Sequence, residues 1–350
     1  MIKSVTIGGG FFLLLFTFIL MFKVTYIDPD LKWVQAIEDF LLNWKSNSHT
    51  IQHQSSGSTG TPKTIEVTKQ AMIVSAQRTN QFFKLNSNST YLLAIPAKFI
   101  GGRMLLLRAY LNNAQVLACE PSLNPLLHIP NDIKIDFAAF TPAQLYEIVH
   151  NPVTKNRLMN IRISIIGGAP LSSELQNMVS HMPIEVYETY GMTETLSHIA
   201  LRKAGTSHFI PVSKDIRLSV NEENCLIISD PELIGNQPIK TNDVVELNEN
   251  QEFIWKGRAD FVINSGGLKI HPEEIEKKLA EIPELSNRTF YLIGQKDELF
   301  GQIVVLKVEG PQIEDLDQKI KEKIEKNKCP KKIQFVPKLE RTENGKILRK

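Results

Sequence analysis

Ser55-Ser56-Gly57-Ser58-Thr59-Gly60-Thr61-Pro62-Lys63 is a run of small hydroxylated residues and glycines closed by a lysine. It reads as a phosphate cradle: glycines let backbone amides approach an anion closely, the hydroxyls add donors and Lys63 adds a point charge. It is not a Walker A loop. That motif needs G-x-x-x-x-G-K-[ST], and counting from Gly57 puts Pro62, which has no N–H, at the second glycine. Taken alone, the segment is also compatible with a plain Ser/Thr/Gly loop between two strands.

Beyond the cradle, short apolar runs alternate with helical patterns. Tyr91 to Ile95, Ala114 to Ala118, Phe137 to Phe140, Ile161 to Ile166 and Ile184 to Tyr187 read as buried strands, and Thr68 to Phe83 and Pro142 to His150 have helical spacing. The alternation predicts an α/β domain with a largely parallel sheet. After Gly205 the strands shorten and Asn, Asp and Gly turns appear, as at Cys225 to Ser229 and Glu252 to Lys256, which predicts a small β-rich subdomain. From Phe261 a compact α+β pattern follows. Pro272 to Ile282 opens a helix with proline and acidic residues in its first turn, and strands follow at Thr289 to Ile293 and Ile303 to Val308.

The 350 residues, 42% hydrophobic and 22% charged, have an ordinary globular composition with room for two or three domains. A net charge of +2 gives no argument for a nucleic-acid surface. Cys119, Cys225 and Cys329 are odd in number, far apart and in no C-x-x-C spacing, so neither a disulfide framework nor a zinc knuckle is indicated; reduced cytoplasmic thiols are the simplest reading. Val5 to Phe22 runs without a charge, at the short edge of what crosses a bilayer. This segment is expected to be either a membrane anchor on a cytoplasmic protein or an upstream extension, with translation starting at Met21.

Four further segments carry polar residues in patterns suited to a nucleotide. Tyr187-Glu188-Thr189-Tyr190-Gly191-Met192-Thr193-Glu194-Thr195 offers a ring to stack on a purine and, at Glu194, an oxygen ligand for a hard divalent cation. In Thr241-Asn242-Asp243 a carboxylate could hold ribose hydroxyls. Gly257-Arg258-Ala259-Asp260 precedes Asn264-Ser265-Gly266-Gly267-Leu268-Lys269-Ile270-His271-Pro272-Glu273-Glu274-Ile275-Glu276, and Arg341-Thr342-Glu343-Asn344-Gly345-Lys346 lies near the C-terminus. Each could be a turn or a solvated face by itself.

In this order the segments, from about Gln54 to Lys350, closely resemble the adenylate-forming superfamily of acyl-CoA ligases, luciferases and peptide-synthetase adenylation domains. Within it the chain is similar to the o-succinylbenzoate:CoA ligases of menaquinone biosynthesis. That likeness rests on Pro96-Ala97-Lys98-Phe99-Ile100-Gly101-Gly102 with Arg108 following, on Ile166-Gly167-Gly168-Ala169-Pro170-Leu171 and on Glu194-Thr195-Leu196-Ser197-His198-Ile199. The resemblance implies a large α/β N-terminal domain over 23–259, truncated at its N-terminus, with its β-rich part at about 205–259. A small mobile α+β lid would follow over 260–350, and residues 1–22 would be the apolar segment. It implies ATP, Mg²⁺ and CoA as co-substrates and a small carboxylic acid as partner. From charge and the apolar segment, no nucleic acid is expected and a membrane contact only through residues 5–22, while the oligomeric state stays open, a homodimer being one way to cover apolar surface left by the trimmed subdomain.

The roles it implies follow residue by residue. Ser56, Gly57, Ser58, Thr59, Gly60, Thr61 and Lys63 would hold the β- and γ-phosphates, and Glu194, beside Thr193 and Gly191, would ligate Mg²⁺. Gly167, Gly168, Ala169 and Tyr190 would form the adenine slot, with Asp243 and Arg258 on the ribose. Lys346 would touch both the substrate carboxylate and the α-phosphate. Asp260 would be the hinge, and Gly266, Gly267 and Lys269 the loop that lines a pantetheine channel in the second half-reaction. Phe99, Gly102, Arg108, Ser197 and His198 would line the acyl pocket, with Lys98 and Arg103 as further cations near a second carboxylate. Two positions depart from the family: Asn242 stands where glycine is common in T-G-D, and Phe99 where many relatives have histidine. A ligase for another aryl or aliphatic acid, an enzyme loading a carrier protein and a non-catalytic nucleotide-binding paralogue remain open alternatives.

Overall fold

The computed structural model describes residues 3–5, 22–28, 30–54, 64–286, 288–341 and 347–349. Among them a nine-stranded sheet runs in the order Lys3–Val5, Lys23–Tyr26, Gln115–Ala118, Thr90–Leu93, Ile135–Phe140, Ile161–Ile166, Glu185–Gly191, His198–Lys203, Ile210–Pro211. The six strands from Lys23–Tyr26 to Glu185–Gly191 are parallel, and the flanking strands pair antiparallel. Strand sequences explain this. In Tyr91-Leu92-Leu93-Ala94, Tyr91 and Leu93 enter one core cluster and Leu92 and Ala94 the other, so both faces are buried and the strand is apolar throughout.

One face is covered by the helices Leu31–Lys45, Lys69–Phe82 and Ile100–Leu111, the other by Pro142–His150, Pro152–Leu158 and Ser173–Ser180. Pro142–His150 starts where its sequence says: Thr141 and Gln144 form a capping box ahead of a proline at the first turn. Ile100–Leu111 is the deepest helix, with Met104 to Ala109 all buried.

The strand Glu185–Gly191 is longer than the sequence reading, which took Tyr187 to Thr195 as a turn. Its polar residues stay extended because it is hydrogen-bonded on both sides, to Ile161–Ile166 and to His198–Lys203. The central sheet also reaches Pro211, past the change in texture at Gly205.

A four-stranded antiparallel sheet follows, in the order Arg217–Val220, Cys225–Asp230, Gly235–Leu247, Phe253–Arg258. It is tied to helix Lys69–Phe82 by Arg78, buried against the buried Asp230. A third sheet contains Leu268–Ile270, Ile263–Ser265, Gly301–Glu309, Phe290–Asp297 and Lys332–Val336 and encloses its own apolar cluster, from Ile263 to Cys329. The three cysteines are free and buried. Among the described residues no helix is long and apolar enough to cross a membrane; residues 6–21 lie outside them.

Candidate active site

Gly167, Tyr190 and Gly191 lie at the carboxyl ends of the parallel strands Ile161–Ile166 and Glu185–Gly191, where open α/β sheets bind ligands. Ile166 runs into Gly167, whose N–H donates to Phe140 O at 3.1 Å. Gly168 adopts φ +97°, a left-handed conformation suited to glycine, and a side chain there would meet nothing within 4 Å, so this turn leaves an open face. Glu188, one strand over, pins the turn: its Oε2 accepts the Leu171 N–H at 3.2 Å and its Oε1 accepts from Gln176 at 2.7 Å and from Arg202 at 2.7 Å. Glu188 and Arg202 are cross-strand partners, and both are buried.

Tyr190 is not a free stacking ring. It sits edge-on to Phe253 at 5.0 Å, and its hydroxyl donates to Asp243 Oδ2 at 2.8 Å. Burial, and then the Asp243 carboxylate, push the phenol well above its usual range, so it remains a donor. Trp255 Nε1 donates to Asp243 Oδ1 at 3.0 Å. The carboxylate is thereby fixed with two donors, and its remaining lone pairs can accept from hydroxyls of a sugar. Arg258 is the cross-strand partner of Asp243 and donates to Asp260 at 2.7 Å.

Gly191 ends its strand, and Thr193–Thr195 makes a single 3₁₀ turn on which Glu194 is exposed. Among the described residues Glu194 has no ion-pair partner, and no group of three or more His, Cys, Asp or Glu side chains could hold a metal by itself. One carboxylate completed by phosphate oxygens and water is a donor set that Mg²⁺ accepts.

Of the three cations near the expected acyl pocket, two are committed elsewhere. Lys98 is exposed, 5.0 Å over the ring of Phe99, which is itself 50% exposed. Arg103 donates to Ala97 O at 3.1 Å and Gln52 O at 2.8 Å, joining helix Ile100–Leu111 to the hairpin Thr50–Gln54/Thr64–Thr68 that carries the cradle. Arg108 differs. It is 1% exposed, and no carboxylate pairs with it among the described residues; Nη2 donates to Ser197 Oγ at 2.9 Å, and Nε has no partner. Burial lowers its pKa to about 10, so it is still charged at neutral pH. His198 lies beside it, with Nε2 3.0 Å from Thr79 Oγ1; burial and Arg108 hold the imidazole well below its ordinary value and therefore neutral. Gly102 is required by packing: a Cβ there would lie 2.5 Å from Pro96 O.

Gly266 and Gly267 form the exposed turn of the hairpin Ile263–Ser265/Leu268–Ile270, and Lys269, also exposed, lies in its second strand opposite Asn264. The cradle, Ser56 to Lys63, and the segment Thr342 to Lys346 lie outside the described residues, though their flanks do not. Gln54 pairs with Thr64, and Arg341 bridges Ile347. Trp255, Glu188 and Thr79 have no counterpart in the sequence reading. For Thr79 a signal existed: Ser75, Arg78, Thr79 and Asn80 put polar groups on the buried side of a helix.

The hairpin root is sensitive to acid. His53, adjoining the cradle, accepts at Nδ1 from Arg103 Nη1 at 2.9 Å, and burial, then Arg103, lower its pKa to about 4. The folded chain keeps His53 neutral while the unfolded chain takes up a proton below about 6.5, so its contribution to stability is lost as pH falls from 6.5 toward 4. The melting temperature should drop between pH 7 and 5.5, and less so in His53→Gln. Equal drops in both proteins would contradict this origin.

The comparisons with known proteins agree with this fold. The family described as AMP-binding enzyme matches residues 48–219, and the AMP-binding enzyme C-terminal domain matches residues 274–346. A solved structure described as an acyl-CoA synthetase (AMP-forming)/AMP-acid ligase II-like protein from Dyadobacter fermentans is 31% identical, covers 91% of this chain and 93% of its own, and has a TM-score of 0.63. The chain belongs to the adenylate-forming AMP-binding enzyme family.

Among other AMP-binding enzymes of this kind, the 2-succinylbenzoate--CoA ligase of Lactococcus lactis is 26% identical over 318 residues, 84% of this chain and 68% of its own. The o-succinylbenzoate CoA synthetase of Bacillus subtilis, solved with the acyl-adenylate intermediate OSB-AMP, is 21% identical with a TM-score of 0.72, over 85% of this chain and 67% of its own. The chain thus spans about two thirds of the length of these relatives.

Proposed function

We propose that this chain is an acid:CoA ligase that activates o-succinylbenzoate with ATP and transfers the acyl group to CoA. The observation that carries the choice of acid is Arg108, a buried guanidinium with no carboxylate partner among the described residues, beside the Thr193–Thr195 turn and bonded to Ser197. An acid with one carboxylate to activate and another to leave charged would complete it; a mono-acid would leave the cation bare. The relatives named for 2-succinylbenzoate support the same reading.

In the first step the succinyl carboxylate attacks the α-phosphorus of ATP, forming the acyl–O–P bond as pyrophosphate leaves. In the second, the CoA thiol attacks the acyl carbon, loses its proton and releases AMP. Asp243 and Arg258 hold the ribose, the Gly167-Gly168-Ala169 turn and Tyr190 bound the adenine, and residues 56–63 grip the distal phosphates. Mg²⁺, when bound at Glu194, would neutralise phosphate charge. Lys346 neutralises the α-phosphate in the first step only. Residues 260–350 turn about Asp260 between the steps and bring Gly266, Gly267 and Lys269 to the site.

The test is incubation with ATP, Mg²⁺ and CoA against o-succinylbenzoate, benzoate and fatty acids, with products identified by mass. The reading predicts o-succinylbenzoyl-CoA, AMP and pyrophosphate as the main products. Thioester formed faster from benzoate or a fatty acid, or nucleotide binding with no acid-dependent pyrophosphate release, would overturn it.

A further inference from the structure

Asn242 occupies a position where the resemblance leads one to expect glycine, and its side chain is engaged. Its Nδ2 donates to both carboxylate oxygens of Asp260, at 3.0 and 3.2 Å, and Arg258 Nη2 donates to the same carboxylate at 2.7 Å. A glycine could make neither bond. Asp260 lies in the 3₁₀ turn Ala259–Phe261, between the last strand of the four-stranded sheet and Ile263, where the third sheet begins.

The neighbours of Asn242 fix its geometry. Thr241 Oγ1 donates to Leu226 O at 2.9 Å and accepts the Asp243 N–H at 3.0 Å, while Asp243 is held by Tyr190 and Trp255. Successive residues of one strand therefore reach the turn at Asp260 and the nucleotide-side carboxylate. In this arrangement the Gly266–Lys269 turn projects into solvent: Leu268 is 41% exposed, and a Cβ on Gly267 would meet nothing within 4 Å. The contact to Asp260 thus belongs to an arrangement in which that turn is not inserted into the site.

We infer that Asn242 is a positioning residue that, through Asp260, holds the C-terminal unit in the arrangement seen here and so delays the thioester-forming one. The inference rests on the two-step reading above and on the turn at Asp260 as its pivot. Asn242 touches no substrate; it acts by shifting a population between two arrangements.

Two variants test it. Asn242→Gly removes the contact, and Asn242→Asp sets a carboxylate against Asp260. Each should raise the ratio of the thioester-forming rate, measured from preformed acyl-adenylate, to the adenylate-forming rate by about three- to tenfold, with the larger change in the aspartate variant. The melting temperature should not move, whereas a merely structural role would change both rates together. An unchanged ratio in both variants would overturn the inference.

A second readout needs no turnover. The three native cysteines are buried, so spin labels can be directed to Val153→Cys and Glu298→Cys, both exposed. Asn242→Gly should increase the share of a second inter-label distance; an unaltered distribution counts against the proposal. Wild-type protein inactive in both half-reactions, but with a distance distribution that responds to Asn242→Gly, would remove the activity reading and leave the latch standing.

Discussion

Arg108→Met is expected to lower kcat/KM for o-succinylbenzoate by about 100-fold or more while leaving the melting temperature unchanged or raised. The two effects have opposite signs for one reason. In the free protein a guanidinium 1% exposed, bonded to Ser197 but to no carboxylate among the described residues, carries a desolvation cost that methionine would remove. In the complex proposed above, the same buried group would meet the substrate's second carboxylate, and losing one partner of a buried charge pair typically costs about 2–5 kcal/mol. Activity on benzoate, which has no second carboxylate, should hardly change, so the preference for o-succinylbenzoate collapses. Steady-state kinetics on both acids and a thermal melt decide the matter. Equal losses on the two acids, or an unstable variant, would mean that Arg108 is a packing residue.

Lys346→Ala should reduce adenylate formation by about 10²- to 10³-fold, about 3–4 kcal/mol, the usual effect of removing one preorganised electrostatic contact. Thioester formation from preformed adenylate should stay within about threefold of wild type, because AMP is the leaving group there and the α-phosphate is not attacked. Lys346 itself lies outside the described residues, but the chain just beyond it is anchored. Ile347 bridges Arg341, the Leu348 N–H donates to Glu340 O at 2.9 Å, and Arg349 makes a two-pronged ion pair with Glu276 at 2.8 and 2.7 Å. The Arg349 guanidinium also lies 4.8 Å over the ring of Phe261, next to Asp260. Single-turnover measurements of each half-reaction give the answer; parallel loss of both would refute the assigned role.

Much of the architecture was legible because it is encoded locally. Continuous apolar runs such as Ile161 to Ile166 mark strands buried on both faces, and Thr141-Pro142 with Gln144 marks a helix start. Where extended structure depends on neighbours, local reading failed. The stretch from Glu188 to Gly191 looks like a turn, yet it continues the strand from Glu185 and is held extended by strands on both sides, and Gly235–Leu247 is polar for much of its length but pairs with two partners through shifts of register.

The site divides in the same way. Asp243, Arg258 and Tyr190 stand out through the family resemblance and its motifs, whereas Trp255 and Glu188 are tied in through partners that only the folded sheet supplies. Among the three cations near the expected acyl pocket, charge alone could not separate Arg108 from Lys98 and Arg103. Burial and an unpartnered Nε did, since Arg103 is spent on backbone carbonyls and Lys98 is exposed.

The C-terminal unit encloses a core of its own, from Ile263 to Cys329, built on its own sheet. Substitutions there can alter how the unit docks without disturbing the walls around Arg108, and changes around Arg108 need not be matched in it. On the reading proposed above, the choice of acid rests on Arg108 and the schedule of the two steps on Asn242, Asp260 and the unit beyond them, so the two lie on separate stretches of chain and selection can retune one while leaving the other as it stands.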